Sequence, residues 1–307
     1  MGGSSRPIVA GVGISHPDRV LFPAAGATKL DLAWYYTTIA DWILPHVVDR
    51  PLTLVRCPAG VRPGSDADCF FMKHSKVWAP PALRRVRIRE KTKIGEYLIA
   101  DSVAAVVSLV QMGVLEIHTW NSKFTHVERP DRLVIDLDPG DRVGWPAIVD
   151  AARLVRKMLG ALDLESFVKT TGGRGVHVVI PLTPQADWPE CLAFARAFAE
   201  TIVGRVPQLF TAHFAKRGRE DKILVDYLRN NRTNTSIAAY STRARPEAPV
   251  STPIAWNELT AAKPPDRFTI ASVPARLARL RADPWKAYWT TRQHLPRAAV
   301  RALERLR

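Results

Sequence analysis

Leu133-Val-Ile-Asp-Leu-Asp-Pro-Gly140 is an apolar strand that ends in acid. Aliphatic and β-branched residues lead into Asp136, Leu137 and Asp138, and Pro139-Gly140 closes the run as a turn. Side chains alternate faces along a strand, so Asp136 and Asp138 point the same way, about 6.6 Å apart at 3.3 Å per residue. Two carboxylates held that close repel, and burial adds a desolvation cost. A hard divalent cation relieves both and can also bridge substrate phosphates. The plain alternative is a strand end whose acids face solvent, because Asp-x-Asp is a common pattern.

Outward from that strand, composition narrows the classes. The chain has 307 residues, 47% of them hydrophobic, enough for one large domain or two ordinary ones. Its 44 Lys and Arg against 29 Asp and Glu leave a net charge of +15. Such a field attracts polyanions, above all nucleic acid. A membrane role is not expected. The run Ser102 to Leu115 is too short to span a bilayer, and the N-terminus has neither a signal-peptide core nor a myristoylation pattern. Cys57, Cys69 and Cys191 are odd in number and contain no CxxC pair, which argues against a disulfide framework or a zinc ribbon and fits a reducing cytoplasm.

The rest of the chain alternates helix and strand signals with no repeat period. Thr28 with Asp31 starts a helix reaching Pro45. Strands are expected at 52–57, 114–120, 167–171, 176–182, 223–228 and 233–240, and a basic hairpin over 83–98. Helices are expected at 102–112, at 145–162 with Pro146 in its first turn, and from the Asp187/Glu190 cap to about 203. Residues 58–68 read as a loop, and the end from Trp256 as helical with Pro breaks. The pattern is a mixed α/β or α+β chain with a soft boundary near 130.

Three stretches add chemistry to the acid pair. In Lys222-Ile-Leu-Val-Asp-Tyr-Leu228, Asp226 is a lone acid inside an apolar strand, and if buried it needs a partner. A cation shared with Asp136 and Asp138 is one solution, and three carboxylates on two strands can hold two metals about 3.5 to 4 Å apart. A salt bridge to Arg229 is the other. Lys169-Thr-Thr-Gly-Gly-Arg-Gly-Val-His177 places a Gly-rich turn between strands, where backbone amides and Arg174 suit phosphate. No helix follows, so it is neither a Walker loop nor a dinucleotide fingerprint. His177 alone reads as a core histidine or a donor to a phosphate. Finally, Arg229, Arg232, Arg243 and Arg245 follow Asp226, and Phe70-Phe71 with Lys73 and Lys76 has the composition of a base-stacking platform or of a half-buried strand.

VIDLDPG (134–140), TTGGRGVHVVIPL (170–182) and ILVDYLRNNRTNTSIAAYSTRARPEAPVSTPIAWNEL (223–259) together closely resemble the polymerase domain of bacterial ligase D, in the archaeo-eukaryotic primase superfamily. The resemblance runs from about Ile14 to Trp285. It implies a primase-polymerase fold, α/β (α+β), with mixed and antiparallel sheets flanked by helices. That is one domain over 1–307 with sub-domains at 14–130 and 131–290. It implies a nucleotidyltransferase of non-homologous end joining that adds nucleotides, ribonucleotides preferred, in gap filling and untemplated addition. Asp136, Asp138 and Asp226 would hold two divalent ions, Mn2+ or Mg2+. Arg56, His118, Thr171, Gly172, Arg174, His177, Arg229 and Arg243 would surround the NTP or dNTP. Arg19 and Lys29 would grip the 5′-phosphate of gapped or overhanging DNA ends, and Phe70, Phe71 and Lys73 would meet the template. Ku and a DNA ligase are the implied partners, with the cytoplasm and nucleoid as the location. Val55 stands where some relatives carry Lys, His16 where some carry Asn, and Thr171 where some carry Ser. No Lys-x-Asp-Gly adenylation motif occurs.

Two other classes compete. A DNA-end-binding module for synapsis would need the charge but not three acids in a basic surface. An Asp-x-Asp sugar-nucleotide transferase would need the acids but not +15.

Overall fold

The computed structural model describes residues 6–62, 69–215, 217–296 and Leu303. The expectations for residues 1–5 and for 63–68 of the loop lie outside them. The chain forms two compact units and crosses between them at 120/121, 236/237, 251/252, 267/268 and 280/281.

The second unit is built on a six-stranded sheet. Its order is Phe210–Thr211, Ile223–Asp226, Arg132–Pro139, Val176–Pro181, Phe167–Thr170, Pro253–Ile254. Every pair is antiparallel except the first. Arg132–Pro139 lies in the interior of the sheet and all but one of its residues are buried. That explains the unbroken run Leu133-Val-Ile: a strand covered on both faces has no exposed side to alternate with. Helices Trp145–Gly160 and Trp188–Arg205 pack against this sheet. Pro146 lies in the first turn of one, and the Asp187/Glu190 capping box opens the other. Trp285 and Tyr288 close a core corner against Phe167, and the Trp285 indole donates to the Val168 carbonyl at 3.0 Å.

The first unit holds a sheet in the order Ser236–Ile237, Val114–Thr119, Leu52–Arg56, Phe70–Met72, and the separate hairpin Arg84–Arg89/Ile94–Ile99. The Thr28/Asp31 capping box starts the helix Lys29–Thr38, and Ser102 caps Val103–Gln111. The returning segment 237–251 is tied in by Tyr35, whose hydroxyl donates to the Tyr240 carbonyl at 2.9 Å.

Several expectations need correction. The strand foreseen to Leu228 stops at Asp226, and Leu228–Asn230 is a 3-10 turn. Residues 233–240 supply only the two-residue strand Ser236–Ile237. The helix begun at Lys29 breaks at Ile39, and Ala40–Val47 is a second one that tolerates Pro45. Past Trp256, the α-helix Ser272–Arg279 and short 3-10 turns replace a largely helical end. Cys57 and Cys69 form a disulfide, against the expectation from their number. Odd parity requires only one unpaired thiol, and the buried Cys191 is that one. Among the described residues, no helix is long and apolar enough to cross a membrane.

Candidate functional site

In the second unit, strand register lines up a row of ionisable residues. Asp226 lies opposite Asp136, Asp136 opposite His177, and His177 opposite Lys169. Side chains of directly opposed residues share a face, so four neighbouring strands present acid, acid, imidazole and ammonium in line. All four are buried. Asp138, two residues along from Asp136, takes the same face at the sheet's more open end.

Two guanidiniums hold these acids. Arg229 donates from Nε to Asp136 at 3.2 Å and pairs through its other nitrogen with Asp226 at 2.9 Å, so it spans both carboxylates. The salt bridge weighed for Asp226 therefore exists and reaches Asp136 as well. Arg219 pairs with Asp138 at 3.3 Å. His177 Nε2 lies 3.3 Å from the same Asp136 oxygen that Arg229 meets. Among the described residues, no three His, Cys, Asp or Glu side chains are drawn together as an ion-binding group.

These contacts split the acids electrostatically. Burial alone would raise Asp136, but His177, Arg229 and Lys169 outweigh it and hold the carboxyl well below the usual range. Asp138 is pushed up, first by burial and then by the charge of Asp136. Asp226 is also pushed up by burial, and Arg229 only partly offsets this. Burial, then Lys169, brings His177 down to about 4, so the imidazole is neutral at pH 7. With its Nε2–H directed at Asp136, Nδ1 is left as an acceptor, and that atom is buried with no protein partner.

The turn 171–175 is organised more tightly than its glycines suggest. Thr171 Oγ1 donates to the Gly175 carbonyl at 3.1 Å and accepts from Gly173 N–H at 3.2 Å. A Cβ on Gly175 would stand 2.2 Å from the Leu137 carbonyl oxygen, so only glycine lets the turn approach the acidic strand. The Arg174 guanidinium donates to the carbonyls of Gly140, Asp141 and Val143 and pins the turn after the acids. Gly140 in turn allows residues 219–220 to pass close by, because a Cβ there would meet the Arg219 carbonyl oxygen at 2.1 Å.

Sequence reading overlooked the scaffold beneath Arg229. The strand beside Arg132–Pro139 stops at Asp226, so the edge at Val134 has no ladder partner there. The Asn230 carboxamide takes that place, accepting from Val134 N–H and donating to Val134 C=O, both at 2.8 Å. Asn121 donates to Arg229 C=O at 3.1 Å and receives Arg132 Nε at 3.2 Å. Lys169 and Arg219 were likewise not singled out. A lysine in a short strand and an arginine in the charged run 216–222 carry no signal of their own.

The remaining predicted residues belong to the first unit. Arg19, Lys29 and Arg56 line one pocket of about 380 Å3 together with His16, Gln111 and Trp78. Arg19 donates to the Pro58 carbonyl at 2.7 Å, and Lys29 donates to those of Ser15 and Gln111 at 3.1 and 3.0 Å. Burial and Arg19 lower Lys29 to about 8. Arg56 stacks on Phe70 and Trp78. A second pocket of about 560 Å3 is lined by Val55, Phe70, Phe71, Glu116 and Arg243. Glu116, also missed, is its anchor: it receives Arg243 Nε at 2.9 Å and His118 Nε2 at 2.7 Å. Burial would raise its carboxyl, but these partners bring it to about 2. Phe70 and Phe71 are exposed, as a stacking platform requires, whereas Lys73 pairs with Glu90 at 3.2 Å.

The family described as LigD, primase-polymerase domain, matches residues 28–285. The chain is 39% identical over 304 residues to the multifunctional non-homologous end joining protein LigD of Pseudomonas aeruginosa, covering 99% of this chain and 36% of that one. It is 28% identical over 299 residues to the bifunctional non-homologous end joining protein LigD of Bacillus subtilis, covering 96% and 47%. It therefore spans between about a third and a half of the length of these relatives. The solved polymerase domain of Mycobacterium tuberculosis ligase D, in complex with DNA, matches with a TM-score of 0.82 and 31% identity over 90% of this chain and 97% of that one. The chain's helices and antiparallel sheets follow the primase-polymerase fold, and the chain belongs to the LigD primase-polymerase domain family.

Proposed function

We propose that the chain is a nucleotidyltransferase of double-strand-break repair, adding nucleotides, ribonucleotides preferentially, to DNA 3′ ends in gap filling and untemplated addition. The observation that carries this is the cross-sheet row Asp226, Asp136, His177, Lys169 with Asp138 beside it. Asp136, Asp138 and Asp226 would hold two divalent cations, Mn2+ or Mg2+. The donor set fits. Three carboxylates share one face, and two of them, Asp138 and Asp226, are pushed up by burial and by the charge of Asp136, a repulsion that a cation removes. Bound there, such ions would neutralise the triphosphate and favour the attacking alkoxide.

The chain's own groups position the reactants. Arg229 and Arg219 pair with the acids and would be freed for phosphate oxygens as those acids take up cations. The buried Nδ1 of His177 accepts from a donor such as a sugar hydroxyl. Thr171 and Gly172 are the proposed nucleotide contacts of this unit, and Arg174 serves them by fixing the 140–143 turn. Arg56, His118 and Arg243 are proposed nucleotide-binding residues of the first unit, by analogy with the family. The excess of positive charge draws in the DNA. Ku and a DNA ligase would act with the chain, by analogy with the repair proteins it resembles.

The decisive assay is primer extension with Mn2+, running NTPs and dNTPs in parallel. Extension with both, faster with NTPs, is expected. Binding of DNA with no extension under any nucleotide would instead establish an end-binding module. In the Arg19/Lys29 pocket, a second result is expected. Lys29 has two of its three N–H groups on carbonyls and one left for a phosphate. Its pKa of about 8 means that it loses charge, and with it phosphate affinity, as pH rises through 8, well before an ordinary lysine. The preference for a 5′-phosphorylated gap should fall between pH 7.5 and about 9.5 and be lost in Arg19→Ala/Lys29→Ala at every pH. A preference that survives both would remove the phosphate from this pocket.

A further inference from the structure

The Cys57–Cys69 bond lies between the two groups proposed to meet DNA. Leu54, Val55 and Arg56 pair with Met72, Phe71 and Phe70, so continuing the register brings Cys57 opposite Cys69. Their Cα atoms are 4.3 Å apart, the spacing of a non-hydrogen-bonded antiparallel pair. The sheet itself therefore keeps the two thiols face to face, and the bond can open and close without moving the strands. On one side, Cys57 is buried and fixed, its N–H on the Gly113 carbonyl at 2.8 Å, and the next carbonyl, Pro58, holds Arg19. On the other side, the partly exposed Cys69 leads directly into Phe70 and Phe71.

We propose that Cys57 and Cys69 are a reversible thiol–disulfide couple that sets how firmly this surface holds a DNA end. The proposal rests on the repair function above, because enzymes acting on the chromosome work where thiols are kept reduced, and disulfides found there are mostly transient or redox-sensing. A dithiol reductant attacks the accessible sulfur of Cys69. The S–S bond breaks, Cys57 leaves as a thiolate and takes up a proton, and a mixed disulfide forms on Cys69. The second thiol of the reductant attacks that mixed disulfide and displaces Cys69 as a thiol, so the reductant departs as a disulfide and the protein has gained two electrons and two protons. Opening the bond leaves Cys57 and Cys69 tied only through the pairing of residues 54–56 with 70–72, and a DNA end must then restrict these two strand ends as it binds.

The whole chain, equilibrated in glutathione buffers of stepped ratio, is alkylated and mapped by mass spectrometry, and its affinity for a gapped 5′-phosphorylated duplex is read by fluorescence anisotropy. The linked Cys57–Cys69 peptide should appear at oxidising ratios and vanish at reducing ones, with Cys191 unpaired throughout. Affinity should be at least about threefold higher when oxidised. Cys57→Ser/Cys69→Ser should stay at the reduced value in every buffer, while Cys191→Ser should respond like the wild type. If both cysteines are alkylated at every ratio, or if affinity is the same in both forms of the wild type, the proposal is wrong. That comparison does not depend on the variants folding. A chain that switches affinity but never extends a primer would instead overturn the polymerase reading.

Discussion

Asp136→Ala/Asp138→Ala should lose primer extension by on the order of 10³-fold or more while gapped DNA is still bound, because the proposed cations would lose two of their three carboxylate ligands and with them the stabilisation of the developing charge. The acids do not contribute equally. Asp136 is the most strongly held, with His177 and Arg229 both on its carboxylate. Asp138 is half-exposed and pushed up by burial and by Asp136, so a cation beside it would relieve both. In the single variants, Asp138→Asn should therefore shift the Mn2+ concentration for half-maximal extension upward, and Asp136→Asn should lower the maximum rate. Binding measured by anisotropy separates lost catalysis from lost DNA. Wild-type extension by the double variant would falsify the metal assignment.

Asn230→Ala should be the most damaging single change to stability outside the acids. It orphans Val134 N–H and C=O on a buried stretch of strand and removes the Asn230 donor from the Tyr227 carbonyl, which it meets at 3.1 Å. Each unsatisfied buried backbone group costs about 1–3 kcal/mol, so a loss of about 3–4 kcal/mol in urea unfolding is expected. Asn230→Asp keeps the acceptor for Val134 N–H but loses the donor and buries a charge, so it should not rescue. An effect below about 1 kcal/mol would mean that the strand edge finds other partners, and the account of how Arg229 is placed would fall.

Legibility in the sequence followed how far each signal depends on neighbours in space. Leu133-Val-Ile and Ile223-Leu-Val are long enough apolar runs to be strands in any context, so Asp136, Asp138 and Asp226 stood out as acids where acids are costly. The capping boxes at Thr28 and Asp187 were legible for the same local reason. From the residues alone His177 read as a core histidine or a phosphate donor, and its place between Asp136 and Lys169 is a matter of register. Asn230 was invisible because its work is to imitate a missing strand. The contacts of Arg174 with the 140–143 turn were not legible, because a cation in a glycine turn suits phosphate and carbonyls alike. The disulfide was missed because parity was weighed and cross-strand pairing was not known.

The acidic row has one more consequence, for the order in which the protein becomes itself. Its members come from strands that are neighbours in space and far apart in the chain: the Asn230–Val134 tie spans 96 residues, and the Arg229–Asp136 pair spans 93. Contacts of that reach close late, since the entropy of a long loop must be overcome before they form. Until the segment 223–230 docks, Asp136 has neither its opposite acid nor its guanidinium. Recovery of extension on refolding should therefore trail the recovery of helical signal, and a chain caught partway would hold its helices with no chemistry.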